Sequence, residues 1–253
     1  MSGAVQVTYI NHSGFFVSVG ETLLVFDDAT EKADLEDGAG DGRVTRALIG
    51  AHKRALFFAS HAHADHFNPH IYDFPGETVY YVLGEDVPEK YSGYRLGEGD
   101  MLTVGGAQVT AFGSTDEGVS FYVELDGWTF FHAGDLNLWH WREHSTLKEI
   151  EQAEREYVHA VAPLIGKPVD IAFFPVDPRM GEMHDAGALH FLMHVKPRVF
   201  IPMHWWGRAD VAIEFARKNQ EKRTEIVALT RPGQSIRAEK AENGEITVDP
   251  YIA

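Results

Sequence analysis

The segment His61-Ala62-His63-Ala64-Asp65-His66 puts three imidazoles and a carboxylate into six residues, directly after the apolar run Ala55–Ala59. Imidazole nitrogens and carboxylate oxygens are ligands of divalent metals. In an extended segment the side chains at i and i+2 point the same way, so His61 and His63 can chelate one ion together. Asp65 and His66 follow in a turn from which a second ion is in reach, and the small Ala62 and Ala64 leave the backbone room to fold around both. Asp135 comes after the apolar run Trp128–Phe131 in a turn that contains Gly134. A carboxylate buried alone there is costly, whereas beside two cations it is stabilised. His204 ends the run Val199–Met203, again at a strand tip; taken alone it could equally be a hydrogen-bonded core histidine. The chain has 14 His and no Cys, so a metal here must take nitrogen and oxygen ligands. Disulfides, thiolate nucleophiles and cysteine-type zinc sites are excluded, and no Gly-x-Ser-x-Gly elbow offers a serine nucleophile.

These residues need strands to carry them. Val5, Val7 and Tyr9 alternate with polar neighbours, and Phe15–Val19 and Thr22–Phe26 flank Gly20-Glu21, which predicts a strand and then a hairpin. Further strands are expected at Thr78–Leu83, Met101–Val104, Gln108–Phe112, Val119–Leu125 and Trp128–His132. From Thr146 apolar residues recur at helical spacing, with Thr146 and Glu149 set as a capping box and Pro163 ending the pattern. Strand Val169–Phe174, helix Ala186–Val195, strand Val199–Pro202, helix Val211–Lys218 and strand Glu225–Leu229 then alternate. A β-rich first half and an alternating second half predict an α+β chain folded as one αββα sandwich domain over residues 1–253: two mixed sheets face to face with helices outside. The acidic, glycine-rich stretch Thr30–Arg43 reads as a mobile surface loop on the rim of the pocket.

Charge narrows the partners. There are 22 basic and 38 acidic side chains, a net charge of −16, and no cluster of Lys and Arg along the chain. A phosphate backbone would be repelled, so nucleic acid is not an expected partner. No run of about 18 uncharged apolar residues exists to span a membrane. No basic-then-apolar leader opens the sequence, and a cytoplasmic protein acting on a small molecule is expected, with homo-oligomerisation left open.

The order His-x-His-x-Asp-His after a strand, His132-Ala133-Gly134-Asp135 after a later one, and Pro202-Met203-His204 near the end resembles the metallo-β-lactamase superfamily of metal-dependent hydrolases. The resemblance runs from Val5 to Leu229 and is nearest to the small stand-alone branch related to ascorbate-phosphate lactonases, in which His12-Ser13-Gly14-Phe15 and Phe26-Asp27 also have counterparts. It implies His61 and His63 on metal one, Asp65, His66 and His204 on metal two, and Asp135 as the bridging carboxylate. It also implies two divalent ions, zinc or manganese, holding a hydroxide that Asp65 orients for attack on an ester, lactone or phosphodiester. His12 borders the site in relatives, which makes it a candidate for ligand support or substrate contact.

One position departs from that pattern. A third histidine for metal one is expected just before Val119, and the sequence there reads Gly113-Ser114-Thr115-Asp116-Glu117-Gly118. Asp116 is the best substitute, its alternative role being to cap a turn; as a ligand it makes site one harder and more receptive to manganese. The missing histidine also supports a second reading, a protein that binds one ion as a sensor and turns nothing over. Asp177, Arg179 and His184 fall in a loop expected to face substrate, and Trp139, His140, Trp141, Trp205 and Trp206 flank the ligands as candidate pocket walls.

Overall fold

Short apolar runs bounded by turn residues become strands in the computed structural model, which describes residues 3–30, 42–74, 76–141, 144–220 and 223–252. The expected loop 30–43 lies mostly outside them. In chain order the strands are β1 (Val5–Asn11), β2 (Gly14–Val19), β3 (Thr22–Phe26), β4 (Arg54–Ala59), β5 (Val79–Gly84), β6 (Tyr94–Leu96), β7 (Met101–Val104), β8 (Ala107–Phe112), β9 (Ser120–Leu125), β10 (Trp128–His132), β11 (Ile171–Pro175), β12 (Val199–Met203), β13 (Glu225–Ile226), β14 (Ser235–Lys240) and β15 (Ile246–Ile252). The α-helices are α1 (Arg46–Gly50), α2 (Leu147–Val161), α3 (Ala186–His194) and α4 (Ala209–Lys218).

Two sheets form, in the orders β15-β14-β1-β2-β3-β4-β5-β6 and β13-β12-β11-β10-β9-β8-β7. Both are mixed. β3 to β6 run parallel, as do β10 to β13, and the remaining neighbours pair antiparallel. Central parallel strands are covered on both faces, which is why β3, β10, β11 and β12 are mostly apolar and buried at every position. The main core lies between the sheets: Phe15 of β2 meets Phe173 of β11 at 4.5 Å between ring centroids, and Phe58 of β4 meets Phe121 of β9 at 5.3 Å. A second cluster, including Leu23, Phe57, Ile71 and Phe74, lies on the outer face of the first sheet under α1. On the second sheet's outer face, Phe191 of α3 stacks on Phe131 and Phe174, and Phe215 of α4 packs on Phe200.

The expected αββα sandwich is therefore present, and the capping box of α2 forms as read, with Thr146 and Glu149 bonding each other's backbone amides. Three features differ. The strand expected over Glu225–Leu229 is reduced to Glu225 and Ile226; Val227 N still donates to the Phe200 carbonyl of β12 at 3.0 Å, and the chain then continues to β14. β14 and β15 extend the first sheet beyond β1, past the end of the sequence resemblance. The short β6 and α1 were also not expected; neither is long enough to show a period. No helix among the described residues is long and apolar enough to cross a membrane.

Candidate metal centre

The residues with chemistry sit where strands end. Asp27 follows β3, residues 60–66 follow β4, Asp135 follows β10, Asp177 follows β11 and His204 follows β12, while His12 lies in the β1–β2 turn and Asp116 in the β8–β9 loop. All of these parallel strands deliver their C-terminal ends to one edge of the sandwich, the usual place for ligands in such sheets. The backbone is strained there: His12, Asp27, His204 and Trp206 have φ of 44°, 43°, 60° and 47°. A left-handed conformation costs a non-glycine residue about 1–2 kcal/mol. Its concentration at one edge marks a site whose side-chain aim outweighs local backbone preference. Gly134, at φ 53°, is required for a second reason: a Cβ there would lie 2.8 Å from Ser60 Cβ and 3.0 Å from the Val119 carbonyl.

Ligand atoms converge without satisfying each other. His66 Nε2 lies 3.0 Å and His204 Nε2 3.2 Å from Asp135 Oδ1, and His12 Nε2 lies 3.2 Å from Asp65 Oδ2. Yet His12 Nε2, His66 Nε2, His204 Nε2 and Asp135 Oδ1 are all buried with no hydrogen-bond partner of proper geometry. Four buried orphaned polar atoms around one point would be costly if the point were empty. One ligand atom from each of His12, Asp65, His66 and His204 falls within 4.8 Å of the others, and the same holds for His61, His66 and Asp135, and for His63, Asp116 and Asp135.

Outer hydrogen bonds fix which nitrogen of each ring faces this point. Asp27, wholly buried, accepts from Ser60 N (2.8 Å), Ser60 Oγ (2.7 Å) and His66 Nδ1 (2.7 Å). Having given its proton to Asp27, Ser60 Oγ accepts from His61 Nδ1 at 2.9 Å. His204 Nδ1 donates to the buried Asp177 at 3.0 Å. Glu117 stands 3.5 Å from His63 Nε2. With its outer proton so placed, His61 Nε2 presents a lone pair toward His63 Nδ1, 3.0 Å away. The donor set and its orphaned atoms fit a divalent metal centre.

Electrostatics agree. Burial alone would raise Asp65 and Asp135, but the imidazoles around them hold both carboxyls well below the usual range, so both are ionised at neutral pH. Burial lowers His12 and His61, leaving them neutral and able to act as donors of a lone pair. For His66, burial is outweighed by Asp135 and Asp27, and its pKa is pushed up to about 10. In the metal-free protein a proton thus occupies the place a cation would take.

The fold brings His61, His63, Asp65, His66, Asp135 and His204 near one another, although residues 61–66 form bends and a turn and not the extended segment that suggested the pairing of His61 and His63. Asp116 is exposed yet within reach of His63 and Asp135, and its loop is clamped by Thr115 Oγ1, which donates to the Asn137 carbonyl at 2.5 Å. His12 stands closer than a bordering residue, in contact distance of Asp65. Other expectations change. Asp177 does not face substrate; it is buried under His204, and Arg179 Nε forks onto it at 2.9 and 3.0 Å. His184 is directed away, its Nδ1 bonding the Gly181 carbonyl. Trp205 packs on Tyr9 in the core, and His140 is buried near Glu154. Trp139, Trp141 and Trp206 do stand at the site: Trp139 stacks on Trp141 at 6.0 Å and contacts His204, and Trp206 meets His12 edge-on at 4.7 Å. Sequence reasoning missed Asp27, Ser60 and Glu117 as supports, since a lone Asp or Ser after a strand carries no spacing signal.

No family model matches the chain. A metal-dependent hydrolase of Pyrococcus furiosus, assigned to UPF0173, is 27% identical over 252 residues, spanning 92% of this chain and 99% of that protein. Among solved structures, the metallo hydrolase Igni18 of Ignicoccus hospitalis superposes with a TM-score of 0.68 at 20% identity, over 94% of this chain and all of the other. The metallo-β-lactamase fold protein YhfI of Bacillus subtilis superposes with a TM-score of 0.58 at 14% identity, over 91% and 98% of the two chains. Similarity runs the length of these proteins, and the two-sheet topology carries its histidines and aspartates on the loops that the sequence motifs marked. The chain thus has the metallo-β-lactamase fold and is similar along its length to metal-dependent hydrolases.

Proposed function

We propose that the chain holds two divalent ions and hydrolyses a small-molecule ester, lactone or phosphodiester. The observation that carries this reading is the ring of buried, unpartnered nitrogen and oxygen atoms, His12 Nε2, His66 Nε2, His204 Nε2 and Asp135 Oδ1, aimed at one point. His61, His63, Asp116 and Asp135 would hold one ion, and Asp65, His66, His204 and Asp135 the other, with His12 beside Asp65. Zinc and manganese both suit such nitrogen and carboxylate donors. When bound, the ions supply Lewis acidity and bring the acidity of water into the neutral range.

The chain's own groups do the rest. Asp65, ionised and about one-third exposed, accepts a hydrogen bond from the attacking water and sets its direction. His12 stays neutral through burial, with its Nε2 3.2 Å from Asp65 Oδ2. Trp139, Trp141 and Trp206 exclude water on one side and offer flat apolar surface to a substrate body. No serine or cysteine nucleophile is needed, which supports hydrolysis without a covalent enzyme intermediate.

The test is turnover of p-nitrophenyl acetate, a γ-lactone and bis-p-nitrophenyl phosphate by the metal-loaded protein. Asp65→Ala and His63→Ala should each lose more than nine-tenths of the activity while keeping the fold by circular dichroism. Mutants that keep more than a tenth of it would remove Asp65 and His63 from the mechanism. Loading with one tight ion and no turnover on any of the three substrates would favour the sensor reading.

A further inference from the structure

The sequence has no run of basic residues, but the fold assembles one. Lys167, Lys196, Arg198, Arg223 and Lys240, five of the chain's 22 basic side chains, line a single cavity of about 370 Å³. The lining holds one carboxylate, Asp170, which is already engaged: it accepts from Lys240 Nζ at 2.7 Å and from Thr129 N at 2.8 Å. Glu225, next in sequence to this wall, lines a separate groove with Ile213 and Ala216. Among the described residues, no carboxylate pairs with Lys167, Lys196, Arg198 or Arg223, in a chain that carries 38 acidic side chains. The lining therefore sums to about +4 within a protein of −16.

The frame of this cavity is rigid. Arg198 N donates to the Val169 carbonyl at 2.9 Å, Val199 N to Asp170 O at 2.8 Å, and Glu225 N to Arg198 O at 2.9 Å, stitching three of the contributing segments together. Lys167 Nζ rests 5.6 Å from the ring centroids of Phe112 and Tyr122, contacts that position the ammonium without neutralising it. Lys196 follows α3 at φ 59°, a left-handed position that glycine fills at lower cost. A lysine there adds charge to the cavity at the expense of local backbone comfort.

We infer that this cavity is a second binding site, for a small, multiply charged anion of the phosphate type. Cations gathered without counter-charge repel one another, and an anion with several oxygens relieves that repulsion while matching the planar fork of arginine. Its volume is of small-molecule size. It lies at the starts of β11 and β12, whose far ends lead to Asp177 and His204, so five residues of strand separate it from the metal centre, about 17 Å. A ligand here is not the molecule being hydrolysed. A long nucleic acid would extend past the patch onto a protein of net charge −16, which favours a small anion.

Calorimetric titration of tripolyphosphate into the metal-loaded protein at low salt tests this. Wild type should bind saturably, and R198E/R223E at least tenfold more weakly, with hydrolytic activity and melting temperature in the absence of the anion unchanged. His63→Ala, at the metal centre, should keep the event, which separates it from phosphate held by metal. If charge reversal prevents folding, R198Q/R223Q should still weaken binding at least tenfold. Equal affinity in the folded double variant would overturn the inference, as would no saturable binding by wild type at millimolar tripolyphosphate or binding lost only in His63→Ala. Tighter binding of a single-stranded 20-nucleotide DNA, sensitive to the same two arginines, would overturn the small-anion assignment in favour of nucleic acid.

Discussion

Asp27 does not itself face the metal positions, yet its charge orders two of the imidazoles that do, so Asp27→Asn isolates the effect of proton placement. In the wild type, Oδ2 accepts from Ser60 Oγ and His66 Nδ1, each at 2.7 Å, and Oδ1 accepts from Ser60 N at 2.8 Å. Asparagine keeps the bond to Ser60 N but presents an NH2 group where two donors arrive. Relief requires His66 to accept at Nδ1 and carry its proton on Nε2, and Ser60 to turn its proton toward His61, which then carries its own on Nε2. Both rings would then hold their one proton on the nitrogen that a metal needs, whereas wild-type His66 can release its Nε2 proton to a metal and keep the one on Nδ1. Charge-assisted hydrogen bonds contribute about 1.5–3 kcal/mol each, so the metal-free variant should lose about 2 kcal/mol or more in urea denaturation. Loss of an outer partner typically weakens metal binding by about 10–100-fold, and with two ligands affected we expect a loss of at least ~100-fold. Competition against a chromophoric chelator measures it, and imidazole nitrogen NMR of the metal-free protein reads the tautomers. A folded Asp27→Asn protein with affinity within threefold of wild type and unchanged tautomers would refute the reasoning.

Three further outcomes are expected. Because His66 in the metal-free protein is raised to about 10 from an ordinary 6.5, the stability its proton contributes is complete below about pH 6.5 and is lost as pH rises toward 10; resistance to urea in chelator should fall over that window, and metal affinity should strengthen. Asp116→Ala should bind one ion fewer per chain while the ion held by Asp65, His66 and His204 remains, and Asp116→His should favour zinc over manganese, both read by metal titration. Thr146→Ala should destabilise by about 1 kcal/mol through loss of the α2 cap, with metal content unchanged.

Much of the centre was legible because its ligands are dense and punctuate apolar runs. His61 to His66 after β4, Asp135 after β10 and His204 after β12 each follow a segment whose burial is evident from composition, so the strand end and the ligand locate each other. Supports were not legible. Asp27 and Ser60 act through hydrogen bonds between β3 and β4, and nothing in either local sequence reveals that register. Asp177 looked like a loop residue open to substrate, and only the course of the chain after β11 folds it beneath His204. The basic cavity is the same lesson at larger scale: Lys167, Arg198, Arg223 and Lys240 are distant in sequence and adjacent only through the pairing of β11, β12 and β13 and the path of β14. β14 carried an alternating signal, with Ile236 and Ala238 buried and Arg237 and Glu239 exposed, but lay outside the segment that the family resemblance covered.

The central claim is that these side chains hold two metal ions. A crystal structure of the manganese- or zinc-loaded protein, with anomalous differences collected at the metal edge, tests it most directly. The account predicts two peaks bridged by Asp135, one against His61, His63 and Asp116 and the other against Asp65, His66 and His204. A single peak, or peaks away from Asp135, would contradict it.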